Sequence, residues 1–525
     1  MRLAAARAAA PVTGFAAAET TFAHLVTHLQ SADTAHMSHS DLERLLEQEG
    51  RELMRQLLQA QLDLRAQATA TEPVVGADRV PRTPAREGTR SLETLFGTVE
   101  ITRAGHGARA CETLFPVDAD LHLPPERYSW GIRQRAAEEA TKGSFDEAVR
   151  VLTTHTGAAV AKRHVEAVVR RAAHDFETFY VHRRLTWETE TTPASDILVL
   201  TFDGKGVPMR HADLRPATQA AAAARPRTLA TRLTKGEKRH TRRMAQVAAV
   251  YTIEPFVRTA ADVMHDLGPP GASRPSRPRP EGKRVWASLT KEPAEVIEDA
   301  FLDASSRDST RQKHWAALVD GQVDQVRRVR AAAKRLGVPV TIVLDLIHVL
   351  EYLWKAAYVF HPEGSPEAEA WVTERLLWLL CGDVGQVMAS IRRTATRRRL
   401  RRPVRRPADR CADYLERHRA LLRYDDYLKR GIPIATGVIE GACRHFVKDR
   451  CELSGMRWLQ TGAENLLRLR AVAENDDWDA YWQYHERKEL ERNHAARYTN
   501  GVLPTLTPPT PRARGKGKPP LRVVK

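Results

Sequence analysis

Apolar positions in the first third of the chain fall mainly at helical spacing. Leu42, Leu45, Leu46, Leu53, Leu57, Leu58 and Leu62 mark one stripe over residues 39–68, with a gap around Gly50. Ser40 and Glu43 have the spacing of a capping box at its start. Such a stripe suits a partner helix, and packing within the chain is favoured over dimerisation. Residues 70–90, rich in Pro, Thr and Gly, read as a linker, and SLETLFGTVEITRAGH then alternates around Gly97 as a hairpin does. Within residues 129–175, Ser144 and Glu147 form a second capping box, followed by a helix EAVRVLTTHT that stops near Gly157. The next amphipathic run, VAKRHVEAVVRRAAHDF, carries Lys162, Arg163, His164, Arg170 and Arg171. Helix, glycine turn and basic helix is a helix-turn-helix arrangement, whose second helix can enter a major groove. An ordinary helical hairpin with a solvated basic face is the alternative.

From residue 196 the period shortens. DILVLTFDGKGV predicts a strand ending at Asp203 before a Gly-Lys-Gly turn, AQVAAVYTIEP a second strand, and FVRTAADV a third. PAEVIEDAFLDASS predicts a helix with Pro in its first turn. HWAALVDG and VPVTIVLD predict strands ending at Asp320 and Asp345, with the basic helix DQVRRVRAAAKRLG between them. Strand, strand, strand, helix, strand, helix, strand is the order of a ribonuclease-H-like core, in which the first and fourth strands are neighbours. About ninety residues separate Asp345 from the next candidate acid, Glu440, more than a simple connection needs. WVTERLLWLLCGDVGQVMASI and ADYLERHRALLRYDDYL show helical spacing there, so a helical insertion is expected. The expected organisation is multidomain α+β: a helical arm and linker (1–90), a hairpin plus helix-turn-helix-like DNA-binding region (91–185), a mixed-sheet core (186–355), the insertion (356–430), the rest of the core with the Glu440 helix (431–485), and a basic disordered tail (486–525).

Composition sharpens this picture only in part. The chain has 525 residues, 82 Lys plus Arg against 65 Asp plus Glu, and a net charge of +17. A basic excess favours a polyanionic partner through counterion release, although an arginine-rich bias of composition offers another source. The five cysteines, Cys111, Cys381, Cys411, Cys443 and Cys451, form no CxxC pair, which argues against a disulfide framework or a thiolate zinc ribbon and suits a reducing cytoplasm. MRLAAARAAAPVTGF lacks a leucine-rich apolar core and reads as a loose arm rather than a signal peptide. Apolar runs such as LLWLLC fall far short of the roughly 20 residues of a membrane span. A cytoplasmic protein, nucleoid-associated when acting, is expected.

The acids supply the candidate chemistry. Asp203 and Asp320, at the ends of neighbouring strands, can share Mg²⁺ or Mn²⁺, and two such ions about 3.5–4 Å apart stabilise both oxygens of an in-line displacement. Glu440, in GIPIATGVIEGACRHFVKDRCELSGMRW, is the third expected metal ligand, with Arg444, His445, Lys448 and Arg450 in reach on following turns. Asp345, also strand-terminal, competes with Asp320 as the second acid. His348 lies three residues on, and packing with Leu344, Val349 and Tyr352 as a core histidine is its bland alternative. Nine arginines occupy positions 391–407, among them Arg397, Arg398, Arg399, Arg401 and Arg402. Beside a nuclease centre they are expected to track phosphate, as are Lys162, Arg163, Arg170, Arg171, Arg444 and Lys448.

TFDGKGV, LVDG, VLDLIHVLEYLWKAA and GVIEGACRHFVKDRCELSGMRW resemble bacterial insertion-sequence transposases of the Kra-four group. GSFDEAVRVLTTHTGAAV and AAHDFETFY resemble that group's upstream domain, so the likeness covers roughly residues 90–485. It implies an Asp-Asp-Glu transposase that cuts transposon ends and joins them to target DNA. The Asp-x-x-His of related groups is accessory, which implies the same for Asp345 and His348 and leaves Asp320 as the second acid. Double-stranded DNA is the expected partner, bound by a dimer or higher assembly. A ribonuclease-H-like structure-specific nuclease and a catalytically inactive DNA-binding descendant are the rival expectations.

Overall fold

In the computed structural model, which describes residues 14–156, 158–187, 197–224, 241–268 and 276–507, the chain is α+β. It divides into two units, Met1–Val168 with Trp482–Lys525, and Val169–Tyr481. The arm up to residue 13, Gly157, most of the basic segment after residue 224 and the tail from 508 lie outside the described residues.

In the first unit, α1 (Ala16–Leu29) packs on the long α2 (His39–Ala66). Ser38, not Ser40, caps α2: its hydroxyl accepts from the Asp41 amide at 3.2 Å, because the helical conformation already begins at His39. Of the leucine stripe, Leu62 is buried with Leu92, Val99, Ile101 and Leu123, and Leu58 packs against that cluster. The expected linker is largely strand. β1 (Pro81–Thr94) pairs antiparallel with β2 (Gly97–Gly107), and its prolines stand at the strand start and at a register irregularity after Pro84, where a sheet tolerates them. The reversal at Gly97 (φ +122°) is where expected. α3 (Trp130–Lys142) and α4 (Phe145–Thr156) follow, with the Ser144 hydroxyl accepting from the Glu147 amide at 3.1 Å. α5 (Lys162–Ala172) ends earlier than its apolar pattern suggests. The tail is ordered well past residue 486: Tyr498 is buried with Val74, Leu114 and Ala119, and Leu506–Thr507 pairs antiparallel with Thr69–Ala70.

The second unit contains α6 (Phe176–Trp187) and a mixed five-stranded sheet of β3 (Ile197–Pro208), β4 (Arg242–Ile253), β5 (Glu281–Ser288), β6 (His314–Val319) and β7 (Val340–Leu344). Its spatial order is β5-β4-β3-β6-β7; β3, β4 and β5 run antiparallel to their neighbours, whereas β3, β6 and β7 run parallel. The third strand is β5, not FVRTAADV. In that stretch Thr259 and Asp262 close a capping box on a short helix, Ala260–Asp266, which takes the chain out of the sheet. α7 (Pro293–Arg307) and α8 (Val323–Leu336) occupy the expected connections, α8 ending on Gly337 at φ +63°. Leu198, Leu200, Ala316, Ala317 and Leu318 are wholly buried, as expected of strands covered on both faces.

The insertion consists of α9 (Leu346–Phe360), α10 (Pro366–Leu380), α11 (Val384–Arg397), α12 (Arg402–Arg417) and α13 (Tyr424–Lys429). The run 371–391, expected to be helical, falls on two helices, with Gly382 at φ +90° between α10 and α11. Glu440 lies on α14 (Gly437–Gly441), which continues into a π-helical turn, Ala442–Lys448. α15 (Gln460–Glu474) then packs on β5, and α16 (Trp478–Asn493) follows. No described helix is long and apolar enough to cross a membrane.

Candidate active site

Asp203 does not end its strand. β3 stays paired with β4 as far as Pro208–Arg242, but its parallel pairing with β6 stops at Thr201–Leu318. Asp203 therefore stands just past the point where the sheet opens between β3 and β6. Asp320 follows β6 by one residue and Asp345 follows β7 by one, so three carboxylates share that edge. Glu440 comes to them from α14.

Asp345 is wholly buried. It caps α9, its Oδ1 accepting from the amides of Thr436 at 3.0 Å and Ile347 at 3.4 Å, while Oδ2 meets His348 Nδ1 at 2.7 Å. That hydrogen bond pushes the His348 imidazole up to about 9 against the opposing effect of burial, with the charges of Asp345, Asp320 and Asp203 adding to it. His348 is thus a charged partner of Asp345, not a core histidine. One ligand atom each from Asp345, His348 and Glu440 lie within 4.8 Å of one another. The trio Asp203, Asp320 and Glu440 is not that close.

The other three acids are half-buried and less occupied. Asp320 Oδ1 accepts from the Gln322 amide at 2.8 Å, and burial raises its carboxyl above the ordinary range, with Asp203 and Asp345 adding to the shift. Glu440 has no hydrogen-bond or ion-pair partner among the described residues; burial and then the charge of Asp345 raise it too. Asp203 Oδ1 accepts from the Gly204 amide at 2.6 Å, and its Oδ2 receives the Cys443 thiol at 3.2 Å. Burial and the Asp203 charge push that thiol up, so it stays protonated and donates.

Several supporting groups escaped the sequence reading. Cys443 stands three residues beyond Glu440, a spacing that is visible in sequence, but its approach to Asp203 depends on the π turn. Such turns are rare and concentrate at functional positions. From the insertion, Tyr414 donates to the Asp320 carbonyl at 2.9 Å and stacks on Tyr352 with centroids 4.0 Å apart, and Tyr424 donates to the Leu344 carbonyl at 2.8 Å. No local pattern marks these tyrosines.

The basic residues divide. Arg450, expected within reach of Glu440, is wholly buried against the Trp458 ring at 5.1 Å, and burial lowers it to about 10. The wider π turn carries it to the core side, leaving Arg444, His445 and Lys448 exposed, with His445 against Asp449 at 3.0 Å. Arg397, Arg398, Arg399, Arg401 and Arg402 are exposed along the α11–α12 turn, where Arg398 donates to the Phe360 carbonyl and Arg399 takes φ +49°. Lys162 pairs with Asp146 at 2.6 Å; Arg163 and Arg170 are exposed and Arg171 is half-buried.

Four carboxylates gather at one sheet edge with a single charged histidine among them, so their mutual repulsion favours a further cation, and oxygen donors suit a hard divalent ion. Compared with known proteins, the chain matches no protein-family model and no curated protein.

Proposed function

We propose that this protein is a metal-dependent DNA transposase of the Asp-Asp-Glu type with a ribonuclease-H-like catalytic core. The convergence of Asp203, Asp320, Asp345 and Glu440 at the edge of β3, β6 and β7 carries the reading. The sheet order, with the first strand between the second and the fourth, supports the fold assignment. Asp203, Asp320 and Glu440 would hold Mg²⁺ or Mn²⁺, while Asp345 with His348 ties the start of α9 to the chain leading into Glu440. When bound, two ions supply charge stabilisation for the entering and leaving oxygens of an in-line displacement.

The chain's own part is to bind and position DNA. Arginines of the α11–α12 turn, with Arg444 and Lys448, bind backbone phosphates, and the basic face of α5 reads an element end. Water attacks the phosphorus at the transposon end; the bond to the 3′ oxygen breaks, leaving a 3′-OH and a 5′-phosphate. The freed 3′-OH then attacks a target phosphodiester, and the target's own 3′ oxygen leaves with a proton. One bond forms for each bond broken, so no nucleotide hydrolysis is needed.

The test is cleavage and joining of a labelled duplex carrying the DNA ends that flank the gene, in Mg²⁺ or EDTA. Metal-dependent cutting and joining, abolished by Asp203→Ala, Asp320→Ala and Glu440→Ala and only impaired by Asp345→Ala, is expected. Cutting without joining would favour a structure-specific nuclease, and binding without cutting an inactive descendant. Cutting that survives Glu440→Ala would remove the proposed site.

A further inference from the structure

The helical insertion reaches the acid-bearing ends of two strands through tyrosine hydroxyls. β6 stops at Val319, and Asp320 and Gly321 follow it. Tyr414, on α12 and buried, donates to the Asp320 backbone carbonyl at 2.9 Å. Gly321 stands at φ +88°, and a Cβ on it would meet Tyr414 Oη at 2.9 Å and Cε2 at 3.2 Å. The phenol therefore lies directly against the turn that presents Asp320. β7 is the last strand of the sheet. There Tyr424 of α13, wholly buried, donates at 2.8 Å to the carbonyl of Leu344, the residue before Asp345. Each of these two acids has one hydroxyl of the insertion on the backbone beside it.

The two hydroxyls serve acids of different standing. Asp345 is fixed by its own side chain, with Thr436, Ile347 and His348 on its two oxygens, and those bonds do not involve Tyr424. Asp320 has only the Gln322 amide, two residues on in its own turn. The direction of its carboxylate thus follows the backbone of that turn, and Tyr414 holds the backbone. Tyr414 is itself well anchored. Its ring stacks on Tyr352 of α9 with centroids 4.0 Å apart and planes 9° from parallel, and the His418 ring meets it at 4.9 Å. Tyr352 lies one helical turn beyond His348, so the spacing between Asp320 and the Asp345–His348 pair passes through two stacked rings. A carboxylate aimed before an ion arrives binds it more tightly, and losing the group that aims a ligand typically costs about 10–100-fold in affinity.

Resting on the transposase reading, we propose that Tyr414 is a positioning residue for metal binding: its hydroxyl fixes the turn that carries Asp320, and the helical insertion thereby completes the metal site. Tyr414 acts through Asp320 and touches no reacting atom. Tyr424 fixes the end of the neighbouring strand and leaves the ion's ligands as they are.

The test uses the full chain and Mn²⁺ alone, without DNA, with the free ion followed by electron paramagnetic resonance. Tyr414→Phe keeps the ring and its stack and removes only the hydroxyl. It is expected to bind Mn²⁺ about tenfold more weakly than wild type. Tyr424→Phe, the same deletion one strand over, is expected to bind it within about twofold of wild type. On the duplex of flanking ends, Tyr414→Phe should need about tenfold more Mn²⁺ for half-maximal cutting and approach the wild-type rate at saturation. A damaged fold would instead lower the rate at every Mn²⁺ concentration. Mn²⁺ affinity unchanged in Tyr414→Phe, or lost equally in both variants, overturns this inference alone. Weakening confined to Tyr424→Phe overturns it as well and makes Asp345 the ligand. A wild type that binds no Mn²⁺, or whose binding survives both Asp203→Asn and Glu440→Gln, overturns the metal site of the transposase reading and this inference with it.

Discussion

Replacing Glu440 with Gln should make the metal-free protein more stable and leave it deaf to metal. Glu440 has no partner among the described residues and lies with Asp345 and His348 inside a 4.8 Å group. Two carboxylates at that separation repel by about 3–4 kcal/mol at an effective dielectric constant of about 20. Water at the half-buried Glu440 and the positive His348 reduce this to about 1–2 kcal/mol. With roughly 2–4 °C of melting temperature per kcal/mol for a domain of a few hundred residues, Glu440→Gln should melt about 2–8 °C higher in EDTA. Wild type at a metal concentration of about 100 times Kd gains about 2.7 kcal/mol by mass action, or about 5–10 °C. The variant should show little of that gain.

The sign has an internal check. A carboxyl raised in the folded state binds its proton more tightly than in the unfolded chain, so folding is disfavoured above the folded pKa and recovers as pH falls through it. The advantage of Glu440→Gln should therefore disappear below the usual glutamate value of about 4.3, where wild type is neutral as well. Asp345→Asn should move the opposite way, losing about 1–3 kcal/mol in EDTA, because its carboxylate is already satisfied by two amides and His348. Scanning calorimetry of the three proteins in EDTA, Mg²⁺ and Mn²⁺ measures all of this. A full metal shift retained by Glu440→Gln would refute the argument.

Three further perturbations follow from the same geometry. The His348–Asp345 pair should stabilise the fold fully below about pH 6.5 and lose that contribution as pH rises through about 9; denaturant midpoints of wild type in EDTA should fall over this window, and those of His348→Gln should not. Gly321 holds φ +88°, and a Cβ there would meet Leu344 Cδ1 at 2.8 Å and Tyr414 Oη at 2.9 Å; Gly321→Ala should cost about 1–3 kcal/mol, read by urea unfolding, and slow cutting by displacing Asp320. Replacing Arg397, Arg399, Arg401 and Arg402 together by Ala should lower the slope of log K for DNA against log salt by about 2–4, at about 0.9 per phosphate contact, with melting temperature unchanged. An unaltered slope would show that the run is merely solvated.

Much of the second unit was legible because its signals are local. Continuous apolar runs ending in Asp mark β6 and β7, and Gly337 stops α8 where the pattern ends. The strand β5 was not legible: EGKRVWAS follows a Pro- and Arg-rich stretch, while FVRTAADV offered a better alternation and became a capped helix. Asp203 was expected to end its strand and does not, because Gly-Lys-Gly reads as a turn unless the partner strand is known. β4 supplies that partner as far as Arg242. The linker and tail were misread for a similar reason. Proline-rich sequence looks unpaired until the partners, β2 for one and Thr69–Ala70 for the other, are found elsewhere in the chain. Contacts that depend on the insertion folding back, such as Tyr414 on Asp320, have no periodicity to betray them.

The choice between Asp320 and Asp345 turns on what their oxygens already hold. Proximity favours Asp345, which shares the 4.8 Å group with Glu440. Availability favours Asp320. Both oxygens of Asp345 are engaged, it is wholly buried, and it ties the start of α9 to Thr436 and so to the chain leading into Glu440. Drawing it onto an ion would empty that cap and leave a cationic imidazole facing the metal. Asp320 accepts one amide bond through Oδ1, is half-exposed, and its Oδ2 holds no hydrogen bond among the described residues. An acid that must bind a cation and then face DNA needs a lone pair and a way out; Asp320 has both. An acid that must fix the distance between β7 and α14 needs burial and several donors, which Asp345 has. The two follow neighbouring parallel strands by the same single residue, and it is the chain beyond each strand that separates their roles.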